Sequence, residues 1–184
     1  MANLNCFRLR WTFAGAVLMA VFFLASCGNR SNTAAKAQLP PPPPFEFVNA
    51  WGDKGDGPGK LNGPVSIATD TLGDIFFPDP ASGFVHKFQS KGTPLLSFED
   101  PRLHRAAGIA VDAGGAIYVA DPQQGAIHVF FPDGSFFQTW HSAPQRHFSS
   151  ALGLSTDEQG TLYVPDAANS RVQKINNHGH LVKT

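Results

Sequence analysis

A repeated pattern of aspartate and glycine in residues 45–184 constrains the fold of this 184-residue chain more than any other feature. Within each copy, two aspartates and two glycines keep the same spacing, and successive copies lie 42 and then 45 residues apart. The matching positions are Asp70, Asp112 and Asp157; Gly73, Gly115 and Gly160; Asp79, Asp121 and Asp166; and Gly92, Gly134 and Gly179. A repeat of this period indicates that one small structural unit occurs three times and stacks on its neighbours.

Each copy contains four short apolar stretches separated by turn residues. In the second copy these stretches are 109–111, 117–120, 126–130 and 135–140. Stretches this short favour strands, and no run of ten or more residues shows the 3.6-residue period of a helix. Four antiparallel strands in a unit of about 40–45 residues are typical of a β-propeller blade. We therefore predict an all-β chain in which about three four-stranded blades form a partial or open propeller, with repeats at about 63–98, 106–140 and 151–184.

Several of these segments resemble the NHL repeat. Residues 108–112, 117–121 and 130–134 look like successive parts of that repeat, and 169–173 resembles its Asn-x-Arg-Val segment. Residues 51–64 resemble the aromatic and glycine-rich lead-in between NHL blades. The resemblance covers 45–184 and implies a β-propeller of NHL type. Members of this family bind proteins or RNA, or act as lyases and hydrolases, so the resemblance implies a fold rather than an activity.

Residues 1–26 have the organisation of a secretory signal peptide. Arg8 and Arg10 precede Trp11–Ser26, which is apolar and carries no charge. This stretch is shorter than the roughly 20 residues of a membrane span and matches the length of a signal-peptide core. The alternative interpretation is an N-terminal anchor helix.

The end of the apolar stretch resembles the bacterial lipobox, because Leu24, Ala25 and Ser26 precede Cys27. The resemblance implies cleavage before Cys27 and attachment of lipid, with acyl chains such as palmitate, to that residue. It also implies a bacterial cell-envelope location. Gly28 replaces the aspartate that would retain an enterobacterial lipoprotein at the inner membrane, so an outer membrane is favoured where one exists.

Residues 27–44 are predicted to be a lipidated N-terminus followed by a proline-rich tether. Residues 28–38 contain no bulky apolar side chain that could join a core. Pro40–Pro44 are five consecutive prolines, which favour a stiff polyproline helix of about 3.1 Å per residue. Such a run serves as a spacer or as a ligand for an aromatic groove. The spacer interpretation fits its place between a lipid anchor and a folded domain.

Charge composition argues against a nucleic-acid partner. The chain has 14 Lys and Arg against 14 Asp and Glu, for a formal net charge of +0. Nucleic-acid binding usually requires a basic excess. The partners we expect are the membrane, through the lipid, and a protein or small ligand on the loop face of the propeller.

The repeated aspartates and glycines are interpreted as structural. Asp70, Asp112 and Asp157 begin tight turns, where a carboxylate accepts local backbone N–H groups. Asp79, Asp121 and Asp166 end the second strand and are expected to fix the following loop. Gly115 and Gly134 are expected at positive φ, whereas Gly125 has no glycine counterpart in the third copy and is expected to be less constrained. No cofactor is predicted, because no specific motif supports a structural calcium or zinc ion.

The connections between copies and the loops after the second strand are expected at one face of the propeller. This face is rich in basic, imidazole and amide side chains. The candidate partner-binding residues are Arg102, His104, Arg105, Gln123, His141, Arg146, His147 and Asn169. Three interpretations remain open: a solvated rim, a docking face for an anionic group or acidic partner, and a zinc site.

No catalytic residue is predicted. His86 and His128 occupy one position of the third strand, where the third copy has Gln173, which indicates a strand-face position. The sequence contains neither a nucleophile elbow nor a phosphate-binding loop. We therefore expect a lipid-anchored, extracytoplasmic binding scaffold. The alternatives are a metal-dependent propeller lyase or hydrolase and a truncated fragment of a longer protein.

Ring closure is the remaining question for a chain with three blades, because closed propellers have about 4–8. Residues 45–51 are interpreted as an outermost strand of the kind that closes a propeller. The chain is then a fragment, a stable open arc, or one half of a homodimer that completes a six-bladed ring.

Overall fold

The computed structural model describes residues 44–141, 148, 151–167 and 170–182. The predicted signal peptide, Cys27 and nearly all of the tether lie outside the described residues, as do Arg146, His147 and Asn169. Contacts divide the chain into Met1–Glu46 and Phe47–Thr184, and the thirteen strands of the described ranges belong to the second unit. In the parts of the chain that the structure describes, no helix has the length and apolar character needed to cross a membrane.

Three antiparallel sheets follow one another along the chain and correspond to the three sequence copies. Blade 1 contains β3 (Ala68–Thr69), β4 (Ile75–Asp79), β5 (Phe84–Phe88) and β6 (Pro94–Glu99). Blade 2 contains β7 (Gly108–Val111), β8 (Ile117–Asp121), β9 (Ala126–Phe130) and β10 (Phe136–His141). Blade 3 contains β11 (Ser155–Thr156), β12 (Leu162–Asp166) and β13 (Arg171–Ile175). A parallel pair, β1 (Asp53–Lys54) and β2 (Lys60–Leu61), precedes blade 1.

The predicted all-β, propeller-type architecture is confirmed, with strands paired in chain order inside each blade. Blade 3 differs from the other two at its outer edge. There, the described residues form a single bridge between Ile175 and Leu181 in place of a full fourth strand. This bridge matches the pairing of Phe130 with Phe136 at the start of β10, so the outer strand of blade 3 begins in the same register.

The apolar core lies between neighbouring blades. Alternate side chains of a strand point to opposite faces, so the middle blade contributes to two interfaces. One face of blade 2 packs against blade 1 through Ile109, Val119 and Phe130, and its other face packs against blade 3 through Tyr118 and Ile127. Burial on both faces explains why β7, β8 and β9 are almost continuously apolar in sequence.

An aromatic residue from each outer strand packs on a turn glycine of the next blade. A Cβ atom at Gly134 would lie 2.7 Å from Phe98 Cδ1, and one at Gly179 would lie 2.7 Å from Trp140 Nε1. Trp51 takes the same place against Gly92 of blade 1, although residues 47–50 before it do not form a strand. Trp51 therefore occupies the position of an outer-strand aromatic from a preceding blade.

Candidate functional site

The loops after the second strand of each blade lie at the same end as the connections between blades, because successive turns of an antiparallel sheet alternate between its two ends. We call this end the connection end. It holds the loops that begin at Pro80 and Pro122 and the connection that contains Arg105. The predicted binding residues are drawn from these segments.

A buried carboxylate organises the connection end of blade 2. Asp121 is fully buried, and its Oδ2 accepts hydrogen bonds from the backbone N–H groups of His104 and Arg105 at 2.7 and 3.0 Å. Its Oδ1 accepts the N–H groups of Gln123 and Gln124 at 3.0 and 3.2 Å. Burial alone would raise the pKa of Asp121, but these four donors hold the pKa below its usual value. Asp121 therefore links the connection before blade 2, at His104 and Arg105, to the loop after β8, at Gln123 and Gln124.

The equivalent carboxylates show that this device recurs. Asp79 Oδ1 accepts the Gly63 N–H at 2.9 Å and the Ser82 N–H at 3.3 Å, so it also joins a connection to a loop. Asp166 Oδ2 accepts the Arg171 Nε–H and lies 2.7 Å from the second guanidinium nitrogen. The expected contacts to the following loop are confirmed for Asp79 and Asp121, and the contact to the preceding connection is a further role that the sequence did not indicate.

The turn aspartates also make the predicted local contacts. Asp112 Oδ1 accepts the N–H groups of Gly114 and Ala116, both at 2.9 Å. Asp112 Oδ2 accepts a hydrogen bond from the Tyr118 hydroxyl at 2.9 Å, and Asp157 and Tyr163 repeat this contact in blade 3. These carboxylates form hydrogen bonds within their own blades and lie at the end of the blade opposite the connection end.

A cleft of about 620 Å³ opens at the connection end. Arg105 and Gln123 line it together with six apolar residues: Val65, Pro80, Ala106, Ala107, Pro122 and Leu152. Arg105 is exposed, and no carboxylate of the described ranges forms an ion pair with its guanidinium. Its backbone is fixed by Asp121, so the cleft presents an unpaired cation on an anchored segment beside apolar walls.

The other predicted binding residues within the described ranges, Arg102, His104 and His141, lie outside this lining. The Arg102 guanidinium forms an ion pair with Asp100 at 2.8 Å and lies 3.9 Å from the ring centre of Phe136, so its charge and planar face are already engaged. His104 and His141 are exposed but do not line the cleft. The structure therefore brings together two of the five predicted residues that it describes.

Gln124 is a contributor that the sequence analysis missed. Its side-chain Nε2 donates to the carbonyl oxygen of Arg102 and to Asp121 Oδ2, which ties the connection to the loop a second time. Gln123 and Gln124 are neighbours in the sequence, and nothing in the sequence distinguishes the amide that supports the fold from the amide that lines the cleft.

The two strand histidines are confirmed as buried strand-face residues. His86 Nδ1 lies 2.8 Å from Ser97 Oγ, and His128 Nδ1 lies 3.0 Å from Thr139 Oγ1. Both imidazoles are at most 1% exposed, and burial lowers their pKa values. A serine beside a histidine suggests a nucleophile and its base, but this pair has no access for a substrate.

Within the described ranges, no group of three or more His, Cys, Asp or Glu side chains is arranged to hold a metal ion.

Comparisons with known proteins show the fold. No protein-family model matches the chain, and no curated protein matches it. Among solved structures, it is similar to a streptogramin B lyase (TM-score 0.54, 19% identity, covering 66% of this chain and 40% of the other). It is also similar to virginiamycin B lyase from Staphylococcus aureus (0.55, 16%, 68% and 43%) and to Kuenenia stuttgartiensis hydrazine synthase (0.54, 15%, 75% and 38%). This chain thus spans about two fifths of the length of these β-propeller proteins.

Proposed function

We propose that this chain is a lipid-anchored, extracytoplasmic β-propeller segment of NHL type that binds a partner at its connection end. The observation that carries the binding function is the cleft in which the unpaired Arg105 faces apolar walls. Arginine presents a planar fork of N–H donors that suits a carboxylate or phosphate. Val65, Leu152 and the loop prolines would contact an apolar group attached to that anion.

The partner chemistry that fits the cleft is therefore an anion next to an apolar moiety, as in an acidic or C-terminal peptide segment or an acylated small molecule. Gln123 adds an amide that donates and accepts hydrogen bonds at the same opening. A cleft of about 620 Å³ lies within the range of small-molecule and peptide-side-chain sites, roughly 300–1,000 Å³.

Binding is tested with N-acetyl-phenylalanine as the probe and N-acetyl-phenylalanine amide as its uncharged match, by NMR titration. We expect the carboxylate to bind more tightly than the amide, and Arg105→Gln to remove that difference. Lys91→Gln is the matched control, since it removes one exposed charge from a turn at the opposite end of blade 1. Equal binding of acid and amide, or an unchanged Arg105→Gln variant, would contradict the proposal.

The anchoring part of the proposal rests on the sequence before the blades. Leu24, Ala25 and Ser26 precede Cys27 at the end of an uncharged apolar stretch, and five prolines then separate Cys27 from the first blade. Acyl chains on Cys27 would hold the protein at a membrane without a spanning helix, at about 0.8 kcal/mol per buried methylene. Cys27→Ser should abolish labelling by a radioactive fatty acid and leave an uncleaved precursor. Normal processing of this variant would refute the anchor.

A further inference from the structure

The packing between blades 1 and 2 uses two sheet faces of different character. Face A is the side of blade 1 that carries Phe76, Pro78, Val85 and Lys87. Its apolar side chains are buried against blade 2, and Val85 is 0% exposed. The Lys87 Nζ lies 5.0 Å from the ring centre of Phe76, with its charge paired to two carboxylates of the adjoining turn.

Face B is the side of blade 2 that receives face A. It carries Ile109, Val119 and Phe130, which are at most 1% exposed. These residues form one apolar cluster with Phe76 and Val85 of face A. The interface between blades is thus built from an A face and a B face in contact.

Blade 3 presents a second A face that nothing in the described chain covers. At the repeat positions of face A it carries Tyr163, Pro165, Val172 and Lys174. The match extends to geometry, because the Lys174 Nζ lies 5.4 Å from the ring centre of Tyr163. Val172 is 62% exposed, whereas its counterpart in face A is fully buried.

Blade 1 presents a second B face. At the repeat positions of Ile109, Val119 and Phe130 it carries Ile67, Phe77 and Phe88. Phe77 and Phe88 are already covered, at 4% and 1% exposed, with Trp51 packed against both rings, and the open part of this face is at Ile67, which is 68% exposed whereas Ile109 is 1% exposed. An apolar cavity of about 340 Å³ opens on this face, lined by Trp51, Leu61, Pro64, Val65, Ser66, Ile67 and Phe77.

We propose that these two free faces bind each other between two copies of this chain, with blade 3 of each copy packed on blade 1 of the other. The two faces carry similar side chains at the positions that form the interface inside the chain, with Tyr163 in place of Phe76 and Phe77 in place of Val119, which supports the same mode of packing. Trp51 stands where the outer-strand aromatic of a preceding blade stands, stacked on Phe88 with ring centres 5.2 Å apart. When blade 3 of the second copy packs on blade 1, Trp51 would therefore already occupy the place that an outer-strand aromatic takes at the interface inside the chain.

Two copies make two identical contacts and close a ring of six blades, which lies within the about 4–8 blades of closed propellers. Each contact joins different faces, yet a two-fold axis closes the pair because each copy supplies one A face and one B face. This inference does not depend on the ligand of the Arg105 cleft.

The test uses thiol cross-linking in the full chain, with Cys6→Ser and Cys27→Ser so that introduced cysteines are the only thiols. Ile67→Cys and Val172→Cys are introduced together and separately, since both side chains are exposed and their replacement leaves the interior intact. Inside the chain their counterparts, Ile109 and Val85, belong to one cluster. The purified protein is treated with a short bismaleimide and analysed by mass.

We expect the double variant to give a covalent species of twice the chain mass and no larger one. A mixture of the two single variants should give the same species, and each single variant alone should give none. Leu72→Cys with Val172→Cys is the matched control, because Leu72 is 83% exposed in the turn between β3 and β4 and is not one of the face B residues, so we expect it not to cross-link.

Three results would overturn the proposal. A double variant that stays at the mass of one chain while remaining folded excludes the second copy as occupant. Cross-linking of Ile67→Cys to itself shows a symmetric face-to-face contact. A ladder beyond the dimer shows an open chain of copies.

Discussion

The packing of an outer-strand aromatic on a turn glycine makes a quantitative prediction at Gly134. This residue has φ 83°, and a Cβ atom there would lie 2.7 Å from Phe98 Cδ1 and 2.8 Å from its Cγ. Gly73 has nearly the same φ of 80°, but a Cβ atom there would meet nothing within 4 Å. The two glycines therefore separate the cost of backbone conformation from the cost of crowding.

For Gly73→Ala, we expect only the cost of placing an L-residue in the left-handed region, about 1–2 kcal/mol. For Gly134→Ala, the same conformational cost applies, and the phenyl ring of Phe98, whose centre now lies 5.0 Å from that of Phe130, must also shift. Overpacking of this kind costs about 1–3 kcal/mol. Gly134→Ala should thus lower the free energy of unfolding by about 1–3 kcal/mol more than Gly73→Ala.

Urea unfolding followed by circular dichroism measures both losses, with the slope of free energy against urea checked for constancy. A double-mutant cycle with Phe98→Ala sharpens the test, because removal of the ring removes the clash at residue 134. The double variant should lose less stability than the sum of the single variants, by about the same 1–3 kcal/mol. Equal losses for the two alanine variants, together with additivity in the cycle, would refute the packing argument.

Three further predictions concern buried polar and aromatic groups. Burial lowers the pKa of His86, so as the pH decreases through about 6.5 the unfolded chain binds more protons than the folded chain, and the free energy of unfolding decreases by up to ~1.4 kcal/mol per pH unit. His86→Gln, which copies Gln173, should reduce the loss of urea midpoint between pH 7.5 and pH 5.5. An unchanged dependence of the midpoint on pH would contradict this. Trp51→Ala should cost at least ~1 kcal/mol in urea unfolding, less than the ~3–5 kcal/mol of a fully buried tryptophan because Trp51 is half-buried, and a neutral effect would remove its packing role. Tyr118→Phe should cost ~1 kcal/mol through the lost hydroxyl contact to Asp112, and a stability equal to wild type would show that this hydrogen bond contributes nothing net.

The repeat allowed most of the fold to be predicted, because a residue recurs in all copies where every blade requires the same backbone conformation. Gly115 and Gly134 lie at φ 84° and 83°, as expected from their register. The sequence predicts less constraint at Gly125, because the third copy has Ser170 at that position. The structure shows φ 62° at Gly125 and 52° at Ser170, so the left-handed turn is kept while the residue changes. Residue identity is an incomplete guide where a serine can adopt the required conformation.

The site was less predictable, because the sequence gives the end of a blade at which a residue lies but not whether its side chain is already engaged. Arg102 and Arg105 are three residues apart and equally cationic. One is bound by Asp100 and Phe136, and the other lines the cleft. That difference depends on contacts between a connection and the outer strands on either side of it, which no local pattern encodes.

Comparison of the three copies at the connection end separates residues that hold the fold from residues that are free to serve a partner. Asp79, Asp121 and Asp166 are identical in the three copies, and Asp79 and Asp121 fix the loop at the end of their blades. At the position of Arg105 the other copies have glycine and serine, and at the position of Gln123 both have alanine. The backbone contact to Asp121 needs only the N–H group of residue 105, as the equivalent glycine in blade 1 shows with Asp79. The backbone contact therefore imposes no requirement on the arginine side chain, which leaves that side chain available for the binding role we propose.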